Sequence, residues 1–190
     1  MEIRNPEFRV YLKSPAPRDV DVISELANNH DISKNLHNTF PNPYTRADAI
    51  AFIDFAAAGL SSGAEVHLAI FTRDANELIG MIGLRVAVKD RNAEIGYWLG
   101  EKYWGKGYVK EAIRLMLAYG FEKLKLNRIY AGAFSHNEKS MHILERLGFS
   151  REGTFRENEL KEGKFLDSVY FSILKREYNE KLKIEVKEIR

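Results

Sequence analysis

Cysteine is absent, which excludes disulfides, thiolate metal ligands and a covalent acyl-cysteine intermediate. A surplus of one charge is also lacking. Twenty-nine Lys and Arg against 27 Asp and Glu leave a formal charge of +2. That balance argues against direct nucleic-acid or membrane partnership. No apolar run approaches the ~18 residues of a membrane span, and Met1-Glu2-Ile3-Arg4 has no apolar signal-peptide core. A soluble, cytoplasmic protein is expected. Histidine is sparse: His30, His37 and His67 have no paired spacing, and His136 and His142 do not share a helical face. No metal site is expected from that pattern. What is present, 45% apolar residues in a chain of 190, suits one domain over residues 1–190 with a full core.

The most informative segment is Trp104-Gly105-Lys106-Gly107-Tyr108, between a strand-like stretch, Glu94 to Leu99, and a helical one beginning at Val109. Two glycines at a strand-to-helix junction let the backbone curl and turn N–H groups beside the positive end of a helix. Such a loop receives phosphate without side-chain charge. A dinucleotide fingerprint fits poorly, because Lys110 stands where a third glycine belongs and no acidic residue lies near Tyr130, about 20 residues on. A P-loop also fits poorly: Gly100, Gly105 and Lys106 match, but Gly107 replaces the required hydroxyl residue. A plain glycine turn capping a helix is the structural alternative.

A third frame, Arg/Gln-x-x-Gly-x-Gly/Ala, is occupied by Lys102-Tyr103-Trp104-Gly105-Lys106-Gly107, with Lys in the first place. Upstream stands Glu94-Ile95-Gly96-Tyr97-Trp98-Leu99, and downstream Asn137-Glu138-Lys139-Ser140 leads to Leu147-Gly148-Phe149. These three blocks, in this order, resemble the GNAT superfamily of N-acetyltransferases, and their wording looks most like the RimJ/RimL branch. The resemblance covers about residues 8–176 and is strongest over 94–174.

Periodicity and turn residues supply the expected elements. Phe8 to Leu12 reads as a strand closed by Ser14-Pro15-Ala16-Pro17, and a helix follows from about Arg18 until Asn28-Asn29-His30. Phe40 to Tyr44 is extended by its prolines. Thr45 and Asp48 then imitate a capping box for an apolar helix ending near Gly63. Val66–Phe71, Leu78–Val88 and Ala93–Leu99 predict an antiparallel meander. The amphipathic stretch Val109–Lys125 predicts a long helix, and Arg128–Phe134 a strand parallel to its predecessor across that crossover. A helix from Asn137 to Leu147, with Gly148 at its exit, and a hairpin of Phe149–Arg156 and Phe165–Leu174 complete the core. The Lys/Glu-rich tail over 175–190 is expected at the periphery. The fold class is α/β: a single mixed, mostly antiparallel sheet with helices on both faces, as the resemblance also implies.

The resemblance implies that acetyl-CoA donates its acetyl group directly to a primary amine, with no metal. Such a reaction needs a base for the amine, fixed donors for the thioester oxygen, and a hydrogen bond or proton for the leaving thiolate. Glu94 is the expected base, acting directly or through water; a solvated Glu paired with Arg85 or Lys89 is the alternative. Backbone N–H groups of Gly96 to Leu99, freed by a bulge at Gly96, are expected to face the oxyanion. The family's tyrosine acid has no counterpart, since Leu144 holds its place. Ser140 is expected to stand in at the thiolate, against a role capping its own helix. Tyr97, Trp98, Leu99, Lys102, Trp104, Gly105, Lys106, Gly107, Tyr108, Val109, Asn137, Ser140 and Leu144 are the expected cofactor contacts, and Phe40 and Tyr44 the acceptor contacts. Lys106 and Lys110 are expected near phosphate, or else on a solvated face. The acceptor favoured is a protein or peptide N-terminal α-amine. Polyamines, aminoglycosides and amino acids remain open, as do a non-catalytic acyl-CoA-binding module and an oligomeric state.

Overall fold

The computed structural model describes residues 1–189. Nine strands form one sheet: β1 (Glu2–Arg4), β2 (Val10–Lys13), β3 (Glu65–Thr72), β4 (Leu78–Ala87), β5 (Asn92–Leu99), β6 (Arg128–Phe134), β7 (Ser150–Lys161), β8 (Lys164–Leu174) and β9 (Lys187–Ile189). Their order is β7-β8-β6-β5-β4-β3-β2-β1-β9. Every described pairing is antiparallel except β5 with β6. The helices are α1 (Val20–Ala27), α2 (His30–Ser33), α3 (Arg46–Ser62), α4 (Tyr108–Ala118), α5 (Glu138–Arg146) and α6 (Lys175–Lys181).

Strand alternation builds two cores. Leu12, Leu68, Ile70, Ile82 and Leu84 point to one face, where Ala112, Ile113 and Met116 of α4 cover them. Tyr11, Ala69, Phe71 and Met81 point to the other, against Val20, Ile23 and Ala27 of α1 and Ala49 and Ile53 of α3. The expected capping box forms: Thr45 and Asp48 exchange side-chain and backbone hydrogen bonds at the start of α3, and Gly63 ends it with φ of 73°.

Three local features differ from expectation. The long helix stops at Ala118 and continues as a π-turn over Tyr119–Lys123, with the Leu124 N–H donating to the Tyr119 carbonyl. Gly120 lies in that turn against Ile129, where a Cβ would come within 2.8 Å of the isoleucine side chain. No bulge occurs at Gly96: β4 and β5 keep an unbroken register from Gly80↔Leu99 to Ala87↔Asn92. The tail is not peripheral. In α6 the Tyr178 ring is fully buried 4.9 Å from that of Phe121, and β9 pairs with β1 at the sheet edge.

Tyr178→Ala should therefore destabilise the whole fold by about 3–5 kcal/mol, as for a buried aromatic. Tyr178→Phe, which removes only the phenolic oxygen that accepts the Ile184 N–H, should cost about 1 kcal/mol. Urea unfolding measures both. A neutral Tyr178→Ala variant would mean that the tail is dispensable to the core.

Candidate active site

The site begins where two parallel strands part. β5 and β6 pair only over Asn92↔Arg128, Ala93↔Ile129 and Glu94↔Tyr130. Beyond Glu94, β5 stays on β4 while β6 follows β8 to Phe134. The wedge between them exposes one edge of Ile95–Leu99, whose alternate backbone groups are not taken up by β6. The freed edge expected from a bulge thus comes from strand divergence.

At the wide end of the wedge, Gly105 and Gly107 adopt φ of 72° and 82°, a region that a side chain disfavours. Gly107 is the N-cap of α4, so the first N–H groups of that helix, which lack intrahelical partners, lie beside the loop. Trp104 ties the loop to β5 by donating its indole N–H to the Leu99 carbonyl at 2.8 Å. Glu111 of α4 accepts from the backbone and guanidinium of Arg9, which fastens the helix to the chain entering β2.

A cleft of about 1260 Å³ runs from this loop along the wedge to the α2–α3 connection. It is large for a small-molecule site, and roomy enough for an extended donor together with an acceptor. Glu94, Tyr97, Trp98, Leu99, Trp104, Gly105, Gly107, Tyr108, Val109, Asn137 and Ser140 all line it, as do Phe40 and Tyr44. Three expected contacts do not. Leu144 is fully buried in the core, because the helical turn of α5 gives the cleft-facing place to Ile143. Lys102 and Lys106 bring their ammonium groups 5.0 and 5.7 Å from the Tyr103 ring centre, outside the cleft lining. Lys110 lies in a separate hollow with Arg9, Arg114 and Arg146.

At the start of α5, Asn137 caps the helix by accepting the Ser140 N–H at 3.2 Å. The Ser140 hydroxyl is not spent on that cap: it hydrogen-bonds the Tyr97 hydroxyl at 2.8 Å across the wedge. Desolvation pushes the Tyr97 phenol up to about 12, against the lowering effect of the Ser140 bond, so it keeps its proton at neutral pH. Near the α2–α3 connection, Phe40 stacks obliquely on Tyr44 at 5.0 Å and meets the edge of Trp98 at 6.2 Å. Burial, with Asp48 adding, pushes the Tyr44 phenol up to about 12.

Between the two halves, the Glu94 carboxylate is shared. One oxygen lies 3.5 Å from Arg85 Nη1 and the other 3.9 Å from His37 Nε2. The Arg85 pairing was anticipated from sequence. The His37 contact was not, and neither was that of Glu159, which accepts from His37 Nδ1 at 2.7 Å and from the Asn38 N–H at 2.9 Å. His37 and Glu159 are 122 positions apart, and no local pattern signals their meeting. Lys139 also escaped notice; its ammonium lies 5.3 Å from the Trp104 ring centre.

Residues 9–150 match the family model described as an acetyltransferase (GNAT) domain. The chain is 34% identical over 173 residues to the uncharacterized N-acetyltransferase p20 of Bacillus licheniformis, covering 90% of this chain and 95% of that protein. It is 31% identical over 109 residues to the ribosomal protein uS5-alanine N-acetyltransferase of Escherichia coli, covering 56% of each. A crystal structure of spermidine N-acetyltransferase from Vibrio cholerae in complex with CoA and spermine superposes with a TM-score of 0.78 at 25% identity, covering 90% of this chain and 98% of that one. The chain belongs to the GNAT family of acetyltransferases. Its chemistry is acetyl-CoA-dependent N-acetyl transfer.

The Tyr97 phenol sets an alkaline limit on stability. The folded state holds the proton to about pH 12, whereas an unfolded tyrosine releases it near 10. The contribution of this phenol to stability is therefore complete below about pH 10 and is lost as pH rises towards about 12. Tyr97→Phe should flatten this loss in urea unfolding at pH 9 and 11. Identical alkaline losses in the two proteins would contradict the assignment.

Proposed function

We propose that the acceptor is a primary α-amine at a protein or peptide N-terminus. In this reading the donor's pyrophosphate meets the Gly105–Val109 loop, and its thioester lies in the wedge beside Gly96 to Leu99. The observation that carries it is continuity: one cleft joins the left-handed glycine loop, the open edge of β5, Glu94 and the Phe40–Tyr44 wall. The glycine loop fits a phosphate because Gly105 has no neighbour within 4 Å of a Cβ position, leaving its backbone open to approach.

The chain's residues then divide the work. Glu94 holds the incoming ammonium in the cleft, where a base must relieve it of a proton before attack. Backbone N–H groups on the open edge of β5 stabilise the oxygen that gains charge. The paired hydroxyls of Ser140 and Tyr97 solvate the departing sulfur, in place of the tyrosine whose position is Leu144. An N-terminal α-amine suits this arrangement because its ordinary pKa, about 7.7, asks less of a base than a lysine-like amine near 10.4. The uS5-alanine relative, whose acceptor is a protein alanine, supports the same choice.

A second reading takes a polyamine as acceptor. It is favoured by the carboxylates of Asp31, Glu65, Glu94 and Glu101 along the cleft, and by the spermidine relative. Acetyl-CoA-dependent thiol release distinguishes the two readings. Turnover of an alanyl peptide well above that of spermidine is expected; the reverse order would give the site to polyamines.

Two substitutions separate the donor and acceptor halves. Gly107→Val should weaken acetyl-CoA binding in calorimetry, because a β-branched residue at φ of 82° is strained by about 1–3 kcal/mol and crowds the loop. Unchanged affinity would remove the phosphate from this loop. Glu94→Gln should leave acetyl-CoA affinity intact while lowering turnover of the amine about 10- to 100-fold, as for a lost hydrogen bond to a charged group. Unaltered turnover would remove Glu94 from the acceptor site.

A further inference from the structure

His37 and Glu94 form a gap with a specific dimension. His37 Nε2 and a Glu94 oxygen stand 3.9 Å apart, too far for a hydrogen bond to each other. A single nitrogen can lie about 2.9 Å from each, to one side of the line joining them, and bridge the two. Both residues line the cleft, one from the α2–α3 connection and the other from β5.

The imidazole is held in the orientation that such a site needs. Glu159 accepts from Nδ1 at 2.7 Å, which assigns the proton of the neutral ring to Nδ1 and leaves the Nε2 lone pair facing the gap. The edge of Phe134 meets the ring at 6.0 Å and 67°, limiting its rotation. Glu159 is itself held, because its second oxygen accepts the Asn38 N–H. The Glu159 and Glu94 side chains are 17% and 21% exposed, whereas that of His37 is half exposed, which leaves the ring a route to solvent. Glu94, by contrast, has its other oxygen engaged by Arg85, which also reaches Glu65 at 3.7 Å.

We propose that the gap between Glu94 and His37 is the ammonium subsite, and that His37 Nε2 is the atom that takes the amine's proton. Glu159 is its positioning residue, and Glu94 is the electrostatic anchor. The inference rests on the acetyl-transfer reading above. The ammonium gives one proton to Nε2, which releases it to solvent. The neutral nitrogen forms the C–N bond to the acetyl carbon, and the C–S bond breaks with its electron pair left on sulfur. The second N–H proton ends on that sulfur, giving the free thiol. An imidazole is a stronger base than a carboxylate by about two pKa units in ordinary surroundings, which favours it for this step.

The test uses the full chain with acetyl-CoA and two probe amines, an alanyl peptide amide and spermidine. Whichever amine the wild-type protein turns over is carried forward. His37→Ala should lower kcat roughly 100- to 10 000-fold, the range for loss of general base catalysis. Acetyl-CoA affinity should stay unchanged in calorimetry, and free imidazole should restore at least about tenfold of the rate. A histidine that merely strapped the α2–α3 connection to β7 would not be rescued in this way. Glu159→Gln should lower kcat in the wild-type background and change little in His37→Ala, since the two residues act as a unit. Wild-type turnover in His37→Ala would overturn the proposal, as would a loss that imidazole leaves untouched. Failure of both amines in the wild-type protein, with acetyl-CoA bound, is a different result: it contradicts the acceptor reading and takes this proposal with it.

Discussion

The parting of β5 from β6 is the constraint from which the rest of the site follows. Parallel strands joined by a crossover helix ordinarily pair along their length, but these two share only three residue pairs, ending at Glu94↔Tyr130. The backbone edge left open on β5 requires a polar partner, because unpaired backbone groups away from water are costly. The edge of Ile95–Leu99 is therefore open to an extended polar partner. What keeps the wedge open is the packing on either side. β5 is held by β4 along its whole length, and β6 is held by β8 from Arg128 to Phe134.

The same division orders the cleft chemically. One end is built from backbone: the open edge of β5, the left-handed glycines and the start of α4. The other end depends on side chains from separate segments: Glu94 on β5 and His37 on the α2–α3 connection line the cleft, and Glu159 on β7 holds the His37 ring. Backbone recognition depends on the fold and varies little with side-chain replacement. Side-chain recognition depends on a few long-range meetings, which single substitutions can rewrite.

The backbone geometry of the glycine loop and of the α5 cap was legible in the sequence. Gly105 and Gly107 announce their backbone angles by being glycine, and Asn137 announces its cap by its spacing to Ser140. The meander, the parallel crossover and the Thr45–Asp48 cap followed from periodicity and capping chemistry. Glu94, Phe40 and Tyr44 were named from the sequence and line the cleft, but the meeting of His37 with Glu159 was not legible. The union of His37 with Glu159 spans 122 positions and leaves no local trace, so His37 looked like an isolated histidine. Strands of three residues, such as β1 and β9, are too short for an alternating pattern to show. Leu144 was misplaced because helical phase, one residue from Ile143, decides between core and cleft.

The central claim is that the open edge of β5 and the glycine loop together receive the donor. Amide hydrogen exchange with and without CoA tests it most directly, because it reads backbone groups that no substitution removes. CoA should slow exchange at Gly96–Leu99 and at Gly105–Val109 and leave the β7–β8 hairpin tip at Lys161–Lys164 unchanged. Slowed exchange elsewhere, with both of those segments unaffected in CoA-saturated protein, would contradict the account.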